Sequence, residues 1–341
     1  MKTHLPVVLI TTEPLQNVPG PHVDLLHQAG FKIRYRAQST IHDDNDTADA
    51  VRGAQAVIAS SEPYTARVLE GRPELRVISR NGVGYDQVDV DAATRLGVAV
   101  TITPEGNHQA VAEHALALLL ALTRKVPQND RLVRRGGWER EILTPLRGKT
   151  LGLVGLGRIG RSVALRAAAF RMRVVAYDPF PNETFARSHG IELVDLDSLL
   201  ACSDFVSLHV PSSQETRGLI DRRTLAQMKP GSFLVNTARG ALVVEEDLIE
   251  ALRSGHLAGA GLDVLADEPP PANHPLFGLD NVILSPHAAA CDAQAITDMA
   301  IGAARNIVEL YQGNWPAGAV VNPAVKDRFV WGTNGRENHG G

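Results

Sequence analysis

Three polar residues in the second half of the chain, Arg239, Glu268 and His287, each follow a run that reads as a β-strand. A histidine that titrates near neutrality can take or give a hydroxyl proton. A carboxylate on its other ring nitrogen fixes the tautomer and stabilises the imidazolium. An arginine can hold a carboxylate in a fork and polarise the carbonyl next to it. Singly, each has a plainer reading: Arg239 caps a turn, Glu268 sits in a solvated loop beside prolines, and His287 is a loop histidine with its hydrogen bonds met. Together they suit hydride transfer at the carbon beside a carboxylate.

A second constellation supplies the other half of such chemistry. Lys149–Phe180 reads KTLGLVGLGRIGRSVALRAAAFRMRVVAYDPF. An apolar strand, Leu151–Val154, runs into Gly155-Leu156-Gly157-Arg158-Ile159-Gly160, a helical pattern follows, and a second strand, Val174–Tyr177, ends at Asp178. This is the order of a dinucleotide-binding βαβ unit. Gly155 permits the tight turn, Gly157 lets a pyrophosphate approach the backbone, and Gly160 allows the helix to pack closely. The free N–H groups at the helix start attract negative charge. Asp178 would accept hydrogen bonds from ribose hydroxyls and repel a 2′-phosphate, which favours NAD over NADP. A glycine-rich turn alone signifies little, because any tight bend can use one. The strand, helix and acid around this one separate it from an ordinary βαβ turn with Asp178 in a loop.

The elements that must position these residues alternate. Val7–Ile10, Lys32–Tyr35, Ala56–Ala59, Arg76–Ser79 and Val98–Val100 read as strands, with helices over Val23–Ala29, Asp46–Arg52, Tyr64–Glu70 and Asp89–Leu96. Ala110–Leu122 reads as a buried helix and a hinge element, and the polar, basic stretch Arg124–Arg147 leads into the glycine turn. Beyond Asp178 the pattern continues with strands Phe205–His209, Phe233–Asn236, Gly259–Val264 and Val282–Ser285 and a helix over Glu246–Ser254. This alternation predicts an α/β chain of doubly wound parallel sheets, with ligands outside the carboxyl ends of the strands. The long helix Ala293–Gln312 is the return path to the first half, and the tail after Val325 has no periodic pattern.

Composition bounds the function. With 341 residues, 44% hydrophobic and 21% charged, the chain is expected to be globular with about two domains. A net charge of −4 without a basic block gives nucleic acid no footprint. No apolar run approaches a membrane span, and the N-terminal residues do not read as a signal peptide. The two cysteines, Cys202 and Cys291, form no metal-type cluster, so no metal and a cytoplasmic location are expected.

Many of these segments, in this order, resemble the D-isomer-specific 2-hydroxyacid dehydrogenases, particularly the phosphoglycerate dehydrogenase-like branch. The resemblance is carried by Arg80-Asn81-Gly82-Val83-Gly84-Tyr85-Asp86, Asn107–His114, Gly155–Gly160, His209-Val210-Pro211, Asn236–Gly240, Gly261–Val264, Glu268-Pro269 and Ser285-Pro286-His287. It implies a Rossmann NAD-binding domain, residues 104–292, inserted into a flavodoxin-like substrate-binding domain, residues 1–103 and 293–325, with a loose tail at 326–341. It implies reversible hydride transfer between NAD(H) and a small 2-hydroxy or 2-oxo acid, with His287 as general acid/base, Glu268 its partner, and Arg239 on the substrate. Substrate binding falls to Asn81, Val83, Gly84 and Arg239. Cofactor binding falls to Gly155, Gly157, Arg158, Ile159, Gly160, Asp178, His209, Val210, Pro211, Thr237, Ala238, Asp263 and His287. A homodimer through the nucleotide domain is also implied.

Some residues look functional and are read otherwise. Glu113 and His114 are taken as helix-packing or domain-contact residues, and Cys202 and Cys291 as buried small hydrophobes. Trp138 is read as a packing or subunit-contact residue, and His108 as either a loop residue or a substrate neighbour. Phosphoglycerate-specific members often carry a basic residue where this chain has Ala59-Ser60-Ser61-Glu62. An inward-pointing Glu62 would oppose a dianionic phosphate, with Arg80 as a compensating charge. D-3-Phosphoglycerate oxidation, glyoxylate or hydroxypyruvate reduction, and NADH sensing of the corepressor type remain as alternatives. The chain stops soon after the return helix, so feedback through a C-terminal regulatory extension is not expected.

Overall fold

The structure, a computed structural model, describes residues 5–331. It divides into two compact units: one runs to Asn107 and resumes at Asp292, and the other is His108–Cys291.

The first unit begins β1 (Val7–Ile10), α1 (Pro21–Gln28), β2 (Lys32–Tyr35), α2 (Asp44–Ala50), β3 (Ala56–Ala59), α3 (Ala66–Glu70), β4 (Val77–Arg80), α4 (Val90–Arg95) and β5 (Ala99–Thr101). Its sheet has the order β2-β1-β3-β4-β5, and every pairing is parallel. This is the flavodoxin-like order. The central strand β3 is Ala-Val-Ile-Ala and buried throughout, as a strand covered on both faces must be. Polar side chains fix the helix starts. Asp43 accepts from the Asn45 and Asp46 amides, Thr65 from Val68, and Asp89 from Ala92. Tyr64, expected inside the third helix, precedes its cap and is fully buried.

The second unit contains α5 (His108–Arg124), α6 (Val126–Arg134), β6 (Thr150–Val154), α7 (Arg158–Ala169), β7 (Arg173–Tyr177), α8 (Glu183–Ser188), β8 (Glu192–Leu193) and α9 (Leu196–Cys202). It continues with β9 (Phe205–Leu208), α10 (Arg222–Gln227), β10 (Ser232–Asn236), α11 (Glu245–Arg253), β11 (Leu257–Leu262) and β12 (Val282–Leu284). The sheet order is β12-β11-β10-β9-β6-β7-β8, again parallel throughout. From β6 the chain winds outward through β7 to β8, then crosses to β9 and winds the other way. The topological switch point, where doubly wound sheets bind ligands, therefore lies between β6 and β9. Within Arg124–Arg147, read as a polar connection, α6 forms with none of its residues buried.

The final helix α12 (Ala293–Tyr311) packs on α1, β3 and β4 of the first unit, and Ser79 Oγ donates to the Ala303 carbonyl at 3.0 Å. The tail differs from expectation over residues 326–331. Phe329 and Trp331 pack on the core that contains Val325, and Trp331 meets Phe31 and Tyr311 edge-on. Aromatic burial holds a segment whose sequence has no period. The remainder of the expected loose tail, 332–341, lies outside the described residues.

Candidate functional site

In the second unit the glycine turn follows β6 and sits beside the end of β9. Gly155 has φ +102, a backbone conformation that a side chain rarely adopts, and a Cβ there would lie 2.7 Å from the His209 carbonyl oxygen. A Cβ on Gly160 would lie 2.1 Å from the Gly155 carbonyl oxygen. Gly157 differs from both. It caps α7, is exposed, and a Cβ there would meet nothing within 4 Å. Two of the glycines are required by the protein's own packing, while the third leaves a cradle in front of the first amides of α7. That is the arrangement a pyrophosphate needs. Arg158 opens α7 and is exposed, and Ile159 packs partly on the core.

Asp178 follows β7. Its Oδ2 accepts the Leu156 amide at 2.7 Å and its Oδ1 the Phe180 amide at 2.8 Å. Each oxygen keeps a second lone pair for ribose hydroxyls, and the carboxylate is tied to the glycine turn. His209 and Val210 follow β9 and lie against Gly155, and the Pro211 carbonyl accepts from Thr216 Oγ1 at 2.7 Å. His209 Nε2 meets Ser207 Oγ at 2.9 Å, while Nδ1 is buried without a partner. Burial lowers the His209 pKa to about 4, although the residue keeps some exposed surface, so its ring is neutral at physiological pH. Thr237 Oγ1 is likewise buried without a partner. Orphaned polar atoms and an open glycine cradle on the switch-point edge fit a dinucleotide.

The proposed acid/base group lies at the ends of β10, β11 and β12. His287 Nδ1 and Glu268 Oε2 are 2.6 Å apart, with side chains 49% and 36% exposed. Glu268 Oε1 accepts the Leu265 amide at 3.0 Å. Burial would raise the Glu268 pKa, but the hydrogen bond and charge of His287, the Leu265 amide and the Arg239 charge together hold it below the ordinary value. Asn236 braces the Arg239 turn: its Oδ1 accepts the Ala238 amide at 3.0 Å and its Nδ2 donates to the Arg239 carbonyl at 2.8 Å. Gly240 then touches the Glu268 loop so closely that a Cβ would lie 1.9 Å from the Leu265 carbonyl oxygen. Glu245, at the start of α11, holds that loop by accepting the Ala266 amide at 3.0 Å, with its other oxygen 3.4 Å from His274 Nε2.

Asp263, expected as a cofactor contact, also has a structural task. Its side chain is 0% exposed, and three hydrogen bonds from the protein reach its two oxygens. Oδ1 takes the Ser285 hydroxyl at 2.6 Å and the Ala288 amide at 2.8 Å, and Oδ2 takes the Ala289 amide at 2.9 Å. Its backbone carbonyl accepts the His287 amide at 2.8 Å. His287 has φ +53, a conformation that costs a non-glycine residue about 1–3 kcal/mol. Hydrogen bonds to a charged acceptor contribute about 1.5–3 kcal/mol each, which is enough to hold it. The Asp263 carboxylate thus shapes the turn that presents His287.

In the first unit the loop after β4 carries Asn81, Val83 and Gly84. Arg80 Nε donates to the Gly84 carbonyl at 2.9 Å, and the Thr103 amide to the Gly82 carbonyl at 2.9 Å. Among the described residues the Val83 and Gly84 amides have no acceptor, and Asn81 Oδ1 is buried without a partner. Adjacent unsatisfied amides suit a carboxylate. Glu62 is 1% exposed and lies past the ends of β1 and β3. It accepts from Thr11 Oγ1 at 2.6 Å, the Tyr64 hydroxyl at 2.7 Å and the Ser60 amide at 3.1 Å. Burial and then the Glu62 charge push the Tyr64 hydroxyl far up, against the opposing charge of Arg80, so it stays protonated and donates.

Four further residues from the sequence analysis can be placed. His114 does more than pack, since its Nε2 meets Ser285 Oγ at 2.8 Å. Cys291 is exposed rather than buried, yet partial burial and the Asp263 charge raise its pKa and keep it a thiol. Trp138 is 76% exposed and packs on no core of its own unit. His108 opens α5 with its ring against Gln109. The residues that sequence reasoning missed are Asn236, Glu245, His274 and Ser285. For Asn236 a signal existed, because an asparagine ending a strand before a tight turn commonly hydrogen-bonds its own backbone.

The family model for the D-isomer specific 2-hydroxyacid dehydrogenase, NAD binding domain, matches residues 116–289. A D-3-phosphoglycerate dehydrogenase of Archaeoglobus fulgidus is 44% identical over 79% of this chain and 52% of its own length. The chain therefore spans about half the length of the phosphoglycerate dehydrogenases it resembles. A glyoxylate reductase of Thermofilum pendens is 38% identical over 91% of this chain and 94% of its own. The crystal structure of D-lactate dehydrogenase from Aquifex aeolicus with NAD and lactic acid superimposes with a TM-score of 0.81 at 30% identity, covering 92% of this chain and 99% of that one. The His108–Cys291 unit is accordingly an NAD-binding domain, and the chain belongs to the D-isomer specific 2-hydroxyacid dehydrogenase family.

Proposed function

We propose that the chain is an NAD-dependent dehydrogenase that interconverts a small D-2-hydroxy acid and its 2-oxo acid. The observation that carries this reading is the 2.6 Å His287–Glu268 contact at the carboxyl edge of a dinucleotide-binding sheet. Bound NAD supplies or accepts the hydride. His287 takes the hydroxyl proton in oxidation and returns it in reduction, while Glu268 holds Nδ1 and leaves Nε2 for the substrate. Arg239 binds the carboxylate and polarises the carbonyl. The Val83 and Gly84 amides, with Asn81 beside them, are assigned to the carboxylate as well. Gly155–Gly160, including Arg158 and Ile159, hold the pyrophosphate, and Asp178 the adenosine ribose. His209, Val210 and Pro211 line the adenine side, and Thr237 and Ala238 the ribose and nicotinamide.

The buried Glu62 carboxylate at the ligand edge of the first sheet opposes a second anionic group and supports an unphosphorylated acid such as glyoxylate or hydroxypyruvate. A cytoplasmic homodimer completes the reading. Its support is an apolar groove of about 300 Å³ on the second unit, lined by Leu116, Leu120 and Phe170, together with exposed Trp138 and Ile142. Among the described residues no helix is long and apolar enough to cross a membrane.

The test is NADH oxidation across a 2-oxo acid panel with hydroxypyruvate beside 3-phosphohydroxypyruvate. Faster turnover of the unphosphorylated acid supports the reading. Preference for the phosphorylated one moves it to D-3-phosphoglycerate, and tight NADH binding without any turnover moves it to a sensing role.

A further inference from the structure

One hydrogen-bonded chain in the second unit carries the Asp263 brace back to helix α5. It runs from His114 Nε2 to Ser285 Oγ, 2.8 Å, and from Ser285 Oγ to Asp263 Oδ1, 2.6 Å. His114 Nε2 also lies 3.4 Å from Asp263 Oδ1. A carboxylate has no proton to give, so the serine proton lies in the Ser285–Asp263 bond. The His114–Ser285 bond then needs a proton on Nε2, and His114 is the donor that fixes the serine hydroxyl. Both the neutral Nε2–H tautomer and the imidazolium can donate, so the contact is a constant brace rather than a pH switch. The other titratable group beside Asp263 is the Cys291 thiol, which partial burial and the Asp263 charge keep protonated.

The sequence builds this contact deliberately. His114, Leu118 and Leu122 recur every fourth residue and share one face of α5, while Gly259 and Gly261 alternate along β11 and Asp263, one residue past its end, continues the same alternation. Four helical residues rise about 6 Å and two strand residues about 6.6 Å, so the two ladders stay in step. The glycines permit the approach: a Cβ on Gly261 would lie 2.9 Å from Leu118 Cβ, and one on Gly259 3.2 Å from Leu122 Cδ2. One turn further along, the same ladder delivers His114 to Asp263.

We propose that His114 is a positioning residue that, through Ser285 and Asp263, holds the Ser285–Ala289 turn so that His287 meets Glu268. The proposal rests on the dehydrogenase reading for its kinetic consequence, but the brace itself is a property of the turn. Removing the donor frees the serine hydroxyl, loosens the Asp263 bonds to the Ala288 and Ala289 amides, and lowers the fraction of time His287 is correctly placed.

The experiment compares His114→Leu, His114→Gln, Ser285→Ala and the double variant His114→Leu/Ser285→Ala in the full-length chain. Readouts are kcat, KM for NADH and hydrogen exchange at Ala288 and Ala289 without ligand. His114→Leu is expected to lower kcat about tenfold with KM for NADH within twofold, and to speed exchange at both amides about tenfold. His114→Gln, which keeps a donor near the Nε2 position, should recover both to within about threefold. Ser285→Ala should match His114→Leu, and the double variant should be no worse than either. Wild-type kcat and exchange in His114→Leu, or a folded His114→Gln as impaired as His114→Leu, would overturn the proposal. If His114→Leu does not fold, His114→Gln and Ser285→Ala decide it. Absence of wild-type turnover on every 2-oxo acid would sink the dehydrogenase reading instead, and amide exchange would still show whether His114 braces the turn.

Discussion

Alanine placed at Gly157 and at Gly160, three positions apart, should produce opposite signatures. At Gly160 the new methyl would sit 2.1 Å from the Gly155 carbonyl oxygen, and backbone has no flexible end to swing away. Ordinary contact is about 3.4 Å or more, so the turn must open by about 1 Å, and such overpacking costs roughly 1–3 kcal/mol. Alanine's better helix propensity returns about 1 kcal/mol. A net loss of up to about 2 kcal/mol lowers the melting temperature of a domain this size by up to about 8 °C. At Gly157 the methyl meets nothing, and φ is −68, open to any residue. Losing glycine at a helix cap costs under about 1 kcal/mol. The stiffer unfolded chain offsets about 0.4–1 kcal/mol, so stability should barely change. The methyl does fill the cradle before the α7 amides. Loss of one charge-assisted hydrogen bond there, about 1.5–3 kcal/mol, weakens NADH binding about 10- to 100-fold. Differential scanning fluorimetry and NADH fluorescence titration read the two quantities separately. If Gly157→Ala melts early, or binds NADH as the wild type does, the loop is not a pyrophosphate cradle.

Other consequences can be measured as directly. Glu268→Gln should lower kcat by about 10²-fold or more with NADH affinity retained, since only the proton-transfer partner changes. Glu268 has a folded pKa below its unfolded value, so its contribution to stability is present above the unfolded carboxylate pKa and lost as pH falls through the folded one. The melting-temperature gap between wild type and Glu268→Gln should therefore close in acid, and a gap that widens would contradict the assignment. His209 has linkage of the same sign, in a higher pH window. Its pKa falls from 6.5 to about 4 on folding, so the unfolded chain gains a proton first and stability declines as pH drops through that window. His209→Gln should flatten the decline, and melting curves between pH 7 and pH 4 would show whether it does. Asp178 should make KM for NADPH at least about tenfold higher than for NADH, with Asp178→Ala narrowing the ratio.

Much of this architecture was legible because burial on both faces of a parallel sheet demands uninterrupted apolar runs. Val7–Ile10 and Ala56–Ala59 are strands at the bounds their sequences suggest, and so is the edge strand Lys32–Tyr35, whose Ile33 and Tyr35 alternate with exposed charged residues. The elements that escaped notice lack that signal. Helix α6 buries none of its residues, and its few apolar side chains, Val126, Leu132 and Val133, stand among charged and polar ones in a stretch that reads as a connection. Helices α8, α9 and α10 are short, and their clearest marks are the caps Asn182, Asp195 and Asp221, which a reading by hydrophobic runs passes over. The glycines of the turn were readable as a set, but only the packing around each distinguishes Gly155 and Gly160 from Gly157. Asp263 is the instructive residue. An aspartate ending a strand at a ligand edge looks like a ligand contact, and only its enclosure by Ser285, Ala288 and Ala289 reveals that the carboxylate also shapes a turn. His114 was discounted for lying on an apolar helix, and its neighbour across the sheet is 149 positions away, at Asp263, beyond the reach of any local pattern.

The central claim is that His287, held by Glu268, moves the proton of a D-2-hydroxy acid while NAD carries the hydride. The most direct measurement supplies purified chain with NADH and hydroxypyruvate, whose reduction product is chiral, and resolves the handedness of that product by chiral chromatography, for wild type and His287→Asn in parallel. The account predicts one D-2-hydroxy acid per NADH consumed by the wild type. It predicts a loss of about 10²-fold or more in the variant at unchanged NADH affinity. An L-product, or equal turnover by the two proteins, would contradict it.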